Sequence, residues 1–247
     1  MPRYRLKLEY DGTPFRGWQR QAGQASVQAA VEEALHRLTG EAAELVGAGR
    51  TDAGVHAVAQ VAHVDLARRW AVERLVAGLN AHLRPLPIAC LESRPVSEGF
   101  HARFDAVRRR YIYQILNRRP PPALEASRCW HLPVPLDAEQ MHEAGQALIG
   151  RHDFTSYRSS ECQAPSPVKT LDLLHVRREG DRVSVRLAAR SFLHHQVRNI
   201  VGTLWLVGEG KAGIDHAARV LEARDRGAAG QTAPAAGLFL VGVDYPV

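Results

Sequence analysis

Arg3-Tyr4-Arg5-Leu6-Lys7-Leu8-Glu9-Tyr10 alternates strictly, with Tyr4, Leu6, Leu8 and Tyr10 on one face and the charged residues on the other. A period of two is the mark of a half-buried strand. Ser26 then offers an N-cap to a helix whose Val27, Ala30, Val31, Ala34, Leu35 and Leu38 form one stripe, closed by Gly40. A short strand near Leu45-Val46 and another at Ala57–Asp65 follow. A helix is expected over Ala67–Asn80, with Trp70, Leu75, Val76 and Leu79 inward, and then a strand over Ile88–Arg94. The order is βαββαβ.

The second part of the chain repeats that order with insertions. Val107–Leu116 alternates as a strand with Tyr111, Tyr113 and Ile115 on one face. Asp137 and Gln140 form a capping-box pattern for a helix running to Gly150. Val168–Arg177 and Arg182–Ala189 flank Glu179-Gly180-Asp181, a hairpin signal. Gln196–Val207 reads as a helix, Asp215–Ala223 as an extra one, and Leu238–Val243 as the closing strand, after a Gly/Ala-rich loop at 227–237. The fold class expected is α+β. Two ferredoxin-like βαββαβ halves, residues 1–104 and 105–247, are expected, with antiparallel sheets that meet at a central concave cleft. Sheets of this architecture often bind RNA, although the aromatic motifs of the RRM type are absent here and fold alone does not settle function.

Composition narrows the class of function. The 247 residues are 45% hydrophobic and 23% charged, ordinary globular proportions that exclude collagen-like and disordered chains. No apolar run approaches the ~18 residues that span a bilayer, and the first residues offer no secretory stretch. A soluble, cytoplasmic protein without membrane contact is expected. Cys90, Cys129 and Cys162 are odd in number and far apart, and read as free thiols. His194-His195 is the only adjacent histidine pair. Neighbouring residues on a helix or strand point in different directions, so no metal is expected there.

Charge is unevenly placed. Residues 101–200 carry 16 Lys/Arg against 10 Asp/Glu, while the flanking stretches nearly balance, so the net charge of +6 sits mid-chain. A regional positive field suits a polyanion. Arginine supplies 29 of the 32 basic residues, which compositional bias explains and which phosphate recognition also favours.

Gly49-Arg50-Thr51-Asp52-Ala53-Gly54-Val55-His56 sets one carboxylate among small residues on a loop. Its bland reading is an Asx-turn, with Asp52 bonding nearby amides. Its chemical reading is a nucleophile or base kept ionised by the guanidinium of Arg50. No GxSxG elbow and no second acidic residue close in sequence offers another route. Residues 10–20, YDGTPFRGWQR, interleave aromatics and arginines. They can stack on nucleotides and clamp phosphates, or Phe15 and Trp18 can seal the core edge. Arg108-Arg109-Arg110 leads straight into Tyr111, although such runs are usually a solvated face. Arg198 lies in the first turn of its helix, where a cation wants an anionic partner unless it snorkels outward.

YDGTPFRGWQRQ, GRTDAGVHA, FHARF with RRRYIY, HDFTSY, SFLHHQVRNIVG and GLFLVGVDYP occur in the order seen in TruA-type tRNA pseudouridine synthases, and the chain resembles that family from Tyr10 to Pro246. The resemblance implies an isomerase that converts uridine to pseudouridine at positions 38 to 40 of the tRNA anticodon arm. It makes Asp52 the catalytic carboxylate. Attack on C6 of the uracil, attack on C1′ of the ribose and removal of the 2′ proton are all open to it. Tyr111 matches the family's base-stacking residue and Arg198 the basic residue that pairs with the aspartate. Arg50 meets the flipped nucleotide or holds the loop, and Leu238 or Leu240 lines the uracil pocket. No cofactor is implied, because the reaction is redox-neutral and intramolecular; a homodimer is. A synthase acting on another class of RNA, a non-catalytic RNA-binding protein and a basic-faced dimerisation module are the rival readings.

Overall fold

The computed structural model describes residues 1–246 and is mixed α+β, with ten mostly antiparallel strands and five helices among them. The chain forms two compact units. The first holds Met1–Val107 and the stretch from Leu240 onward, and the second holds Arg108–Phe239.

In the first unit β1 (Arg3–Tyr10), β3 (His56–Asp65) and β4 (Ile88–Val96) lie in the order β4-β1-β3, and β10 (Leu238–Asp244) follows β3. The two-residue β2 (Val46–Gly47) pairs with β3. β1 runs antiparallel to both neighbours, with Leu6 opposite Ala62 and Ser93. Tyr4, Leu6, Leu8 and Tyr10 are all buried, as the alternation requires. Helix α1 (Val27–Thr39) opens where Ser26 accepts a hydrogen bond from the Ala29 amide and closes at Gly40, whose φ of 78° suits a residue without Cβ.

Helix α2 spans Val72–Leu83, so the expected start at Ala67 is five residues early. The intervening chain is pinned out of helical geometry, since the Ala67 amide donates to Glu41 and the Trp70 amide to the Tyr4 hydroxyl. The helix also runs three residues further than expected. It stops only where Arg84 precedes Pro85 and is extended, as a residue before proline prefers.

In the second unit β5 (Arg108–Asn117), β9 (Arg182–Ala189), β8 (Val168–Glu179) and β7 (Gly150–Asp153) form the run β5-β9-β8-β7, each pair antiparallel. The hairpin between β8 and β9 turns at Gly180-Asp181, with Gly180 at φ 59°. A positive φ at the first turn residue alone is the type II′ pattern of two-residue loops. Two strands have no counterpart in the sequence reading: β7, and β6 (Trp130–Leu132), which runs parallel to β5. Helix α3 (Ala138–Gln146) ends before Gly150, contrary to expectation. Gly150, at φ 106°, starts β7 instead, and Ile149 is exposed. Helices α4 (Gln196–Gly208) and α5 (His216–Ala223) complete the unit. No helix among the described residues is long and apolar enough to cross a membrane.

His63 on β3 is buried and its Nδ1 accepts the Ala102 amide at 3.1 Å. Burial, reinforced by the charges of Arg3 and His101, pushes its pKa down to about 4. The unfolded chain therefore binds more protons than the folded one between that value and about 6.5. Stability contributed by neutral His63 is complete above about pH 6.5 and is lost as pH falls towards 4. Melting curves should show the wild type losing more Tm between pH 7 and 4.5 than His63→Asn, which keeps an acceptor without the titration. Parallel curves would remove His63 from the acid response.

Candidate active site

The loop bearing Asp52 is built by close backbone approach. Asp52 is half-buried and opens a turn closed by the Val55 amide donating to the Asp52 carbonyl at 3.1 Å. Gly54, third in that turn, has φ 76°, as a type II turn demands. Residues 11–20 lie against it. The Trp18 amide donates to the Thr51 carbonyl at 3.1 Å, and the Gly54 amide to the Phe15 carbonyl at 3.2 Å. A Cβ on Gly12 would stand 2.0 Å from the Val55 carbonyl oxygen, and one on Gly17 (φ 94°) 2.6 Å from that of Thr51. Only glycine lets the two loops meet so closely.

Phe15 and Trp18 are 4% and 2% exposed, so they seal the core edge. Beneath them the Tyr10 hydroxyl meets Thr51 Oγ1 at 2.8 Å. Burial pushes the Tyr10 phenol up to about 12, which keeps it protonated in that hydrogen bond. The Gly12 amide donates to Nδ1 of buried His56 at 3.1 Å, and Asp11 Oδ1 lies 3.2 Å from the same nitrogen. His56 thus ties the start of one loop to the end of the other. Gln28 on α1 ties the end of the first loop to the chain just before β2. Its Oε1 accepts from the Arg20 amide and from Gln19 Nε2, while its own Nε2 donates to the Leu45 carbonyl. Arg50 is exposed, and its Nε donates to Gln19 Oε1 at 3.0 Å. Neither His56 nor Gln28 stood out in the sequence as a support. The available signal was a polar residue on the inward stripe of α1, four residues before Glu32.

Asp52 and Arg50 share this loop of the first unit, whereas Tyr111 and Arg198 belong to the second. Tyr111 lies on β5 opposite Leu187 and is 9% exposed. The ring of Phe192 stands at 88° to it with centroids 5.3 Å apart, fixing its plane. Of the three arginines before it, only Arg108 and Arg110 face solvent. Arg109 is buried and donates to the Arg190 carbonyl at 2.5 Å, which corrects the view of the run as one solvated face. Strand parity already placed Arg109 beside Tyr111 and Tyr113. The Tyr113 hydroxyl donates to the Pro234 carbonyl at 2.8 Å, and its burial raises the phenol pKa far out of the physiological range.

Arg198 is half-buried in the first turn of α4, and its Nε donates to the Ala233 carbonyl at 2.7 Å. The Ala233 amide returns a bond to the Arg198 carbonyl. The same helix grips this loop through Asn199, which accepts from Arg226 and Thr232, and through Thr203, which accepts the Gly230 amide. His194 and His195 lie in the turn before α4, and His195 caps the helix at φ 62°. Their ring centroids are 4.0 Å apart. The expectation that the two rings diverge is therefore incorrect, because a left-handed residue in a turn obeys neither helix nor strand periodicity.

The sequence profile of a family described as tRNA pseudouridine synthase matches residues 8–105 and 144–246. A tRNA pseudouridine synthase A of Paramagnetospirillum magneticum is 58% identical over 245 residues, covering 99% of this chain and 96% of its own. One of Rhodospirillum centenum is also 58% identical, over 99% of this chain and all of its own. A third, of Mesorhizobium japonicum, is 56% identical with both chains covered throughout.

Proposed function

This chain belongs to the tRNA pseudouridine synthase family, and from that premise we propose that it acts on the anticodon arm, at positions 38 to 40, through Asp52. It is an isomerase that converts uridine to pseudouridine in tRNA. The glycosidic C1′–N1 bond breaks, the uracil turns, C1′ bonds to C5, the proton on C5 leaves and N1 takes one up. Atoms balance without a redox partner.

Asp52 is the carboxylate that attacks C6 or C1′, or takes the 2′ proton. The single observation carrying this assignment is the bracing of its loop by main-chain bonds from residues 15 and 18. A reacting group must be held to a fraction of an ångström, and a loop fastened at both ends does this. Tyr111 stacks on the base while it is detached, a role that suits a ring whose plane Phe192 fixes. Arg50 and Arg198 hold the target nucleotide, whose extrusion from the stack costs a few kcal/mol. Residues 1–104 supply the aspartate loop, and residues 105–247 the tyrosine strand and the HHQVRN helix. The strand orders within the two units support reading each as a ferredoxin-like half. A homodimer in the cytoplasm, without cofactor, completes the proposal.

Unmodified tRNA carrying tritium at uridine C5 tests it. Wild type should release label, and mapping should place the product at positions 38 to 40. Product elsewhere in tRNA, or in other RNAs, would overturn the assignment to the anticodon arm. In the same assay Tyr111→Ala should lose about 10- to 100-fold in kcat/KM, the worth of a base–aromatic stack. Tyr111→Phe separates ring from phenol. Equal activity in the Phe variant confines the role to stacking, and equal activity in the Ala variant rejects Tyr111 altogether.

A further inference from the structure

Phe104 lies in the turn before β5 with 68% of its surface exposed, although phenylalanine is among the residues most often buried. A lone exposed apolar residue is commonplace; a ring held outward by a fastened loop is not. His101 and Asp105 bond each other reciprocally. The His101 amide donates to Asp105 Oδ2 at 2.7 Å, and the Asp105 amide to the His101 carbonyl at 3.1 Å. The amides of Arg103 and Phe104 both donate to His101 Nδ1 at 3.2 Å. The turn is anchored from outside by His63 on the Ala102 amide and by the Tyr245 hydroxyl, which donates to the Ala102 carbonyl at 2.7 Å. Arg3 adds a bond to the Phe100 carbonyl.

The ring's surroundings are chemically specific. The imidazole of His101 stacks on Phe104 at 4.3 Å and 28°. The Arg103 guanidinium lies 5.8 Å from the centroid of the Phe104 ring. Two stacked aromatic rings beside an arginine form a platform for a π-faced, anionic ligand. An unpaired nucleotide offers both features, with its base for the ring and its phosphate for the guanidinium. The loop's own carboxylate, Asp105, is turned to the backbone. The ordering cost of the platform is met in the free protein, which favours binding.

We propose that Phe104 is a stacking site for an unpaired nucleotide of the RNA substrate, one outside the position being isomerised, with Arg103 contacting its phosphate. The inference rests on the tRNA reading above and adds a contact that none of Asp52, Tyr111, Arg50 and Arg198 supplies.

Phe104→Ala, Phe104→Leu and Phe104→Trp should all fold with wild-type Tm, because the ring packs on little besides His101. Fluorescence anisotropy with labelled unmodified tRNA should show Kd rising about 5- to 50-fold for Ala and for Leu, within the range of one base stack. KM in the tritium assay should rise in parallel. Phe104→Trp, with a larger π-face, should bind at least as tightly as wild type. Wild-type Kd and KM in Phe104→Ala would overturn the proposal. So would a Leu variant as good as wild type, which would mean that apolar bulk suffices, or a fall in Tm that accounts for the loss. Wild type that binds tRNA yet releases no tritium would sink the functional reading, while the anisotropy series would still decide on Phe104.

Discussion

Asp52→Asn binds unmodified tRNA within a few-fold of wild type and releases tritium at least about 10⁴-fold more slowly, the scale of loss when an enzyme's reacting group is removed. Asparagine matches aspartate in shape. The bonds that shape this loop run through the carbonyls of Thr51 and Asp52 and the amides of Gly54 and Val55. The substitution therefore removes a negative charge without removing the scaffold, and the loss is one of chemistry. Asp52→Ala should behave alike, showing that the amide itself is not the inhibitor. Turnover near wild type in either variant would take Asp52 out of the reaction.

Gly12→Ala should cost at least about 10²-fold in kcat/KM, although Gly12 is forty residues from Asp52 in sequence. A methyl group there meets the Val55 carbonyl oxygen at 2.0 Å, and both partners are main chain, so one loop must retreat by about an ångström. Displacements of that size commonly cost about two decades of rate. Gly99→Ala, where nothing lies within 4 Å, is the control that should turn over like wild type. The Gly12 variant should keep most of its helical circular dichroism while losing activity. Activity equal to that of the control would mean that the loop's position is not set by this contact.

Elements were legible where the determinants are local. Ser26 and Gly40 bound α1 because a cap is a matter between neighbours, and Gly180 marks its hairpin for the same reason. The start of α2 was not legible, since Glu41 and Tyr4 hold residues 67–70 out of the helix from far along the chain. Strands β6 and β7 are three and four residues long, too short to show a period. The site divides in the same way. The loop of Asp52 announces itself through glycines close in sequence, but its supports join separate segments: His56 reaches Gly12, 44 residues away, and Gln28 reaches from α1 to Arg20 and to Leu45. Arg109 is the exception that could have been read, because its place in the alternation of β5 already sets it on the inward face.

Strand β3 has β10 as a neighbour in the first unit, and that part of β10 is made only after the whole second unit has been synthesised. At ~5–20 residues per second, the intervening stretch of about 130 residues takes roughly 7–26 s. Throughout that interval the nascent first unit carries an open edge along the first half of β3, short of Ala62 and His63, which β2 covers; the strand is rich in alanine and valine and mostly buried once folded. Unpaired apolar edges recruit other strands. Chains stalled before Leu240 should therefore be prone to aggregation and to capture by chaperones, and the enzyme's yield in the cell should depend on how fast its second half is translated.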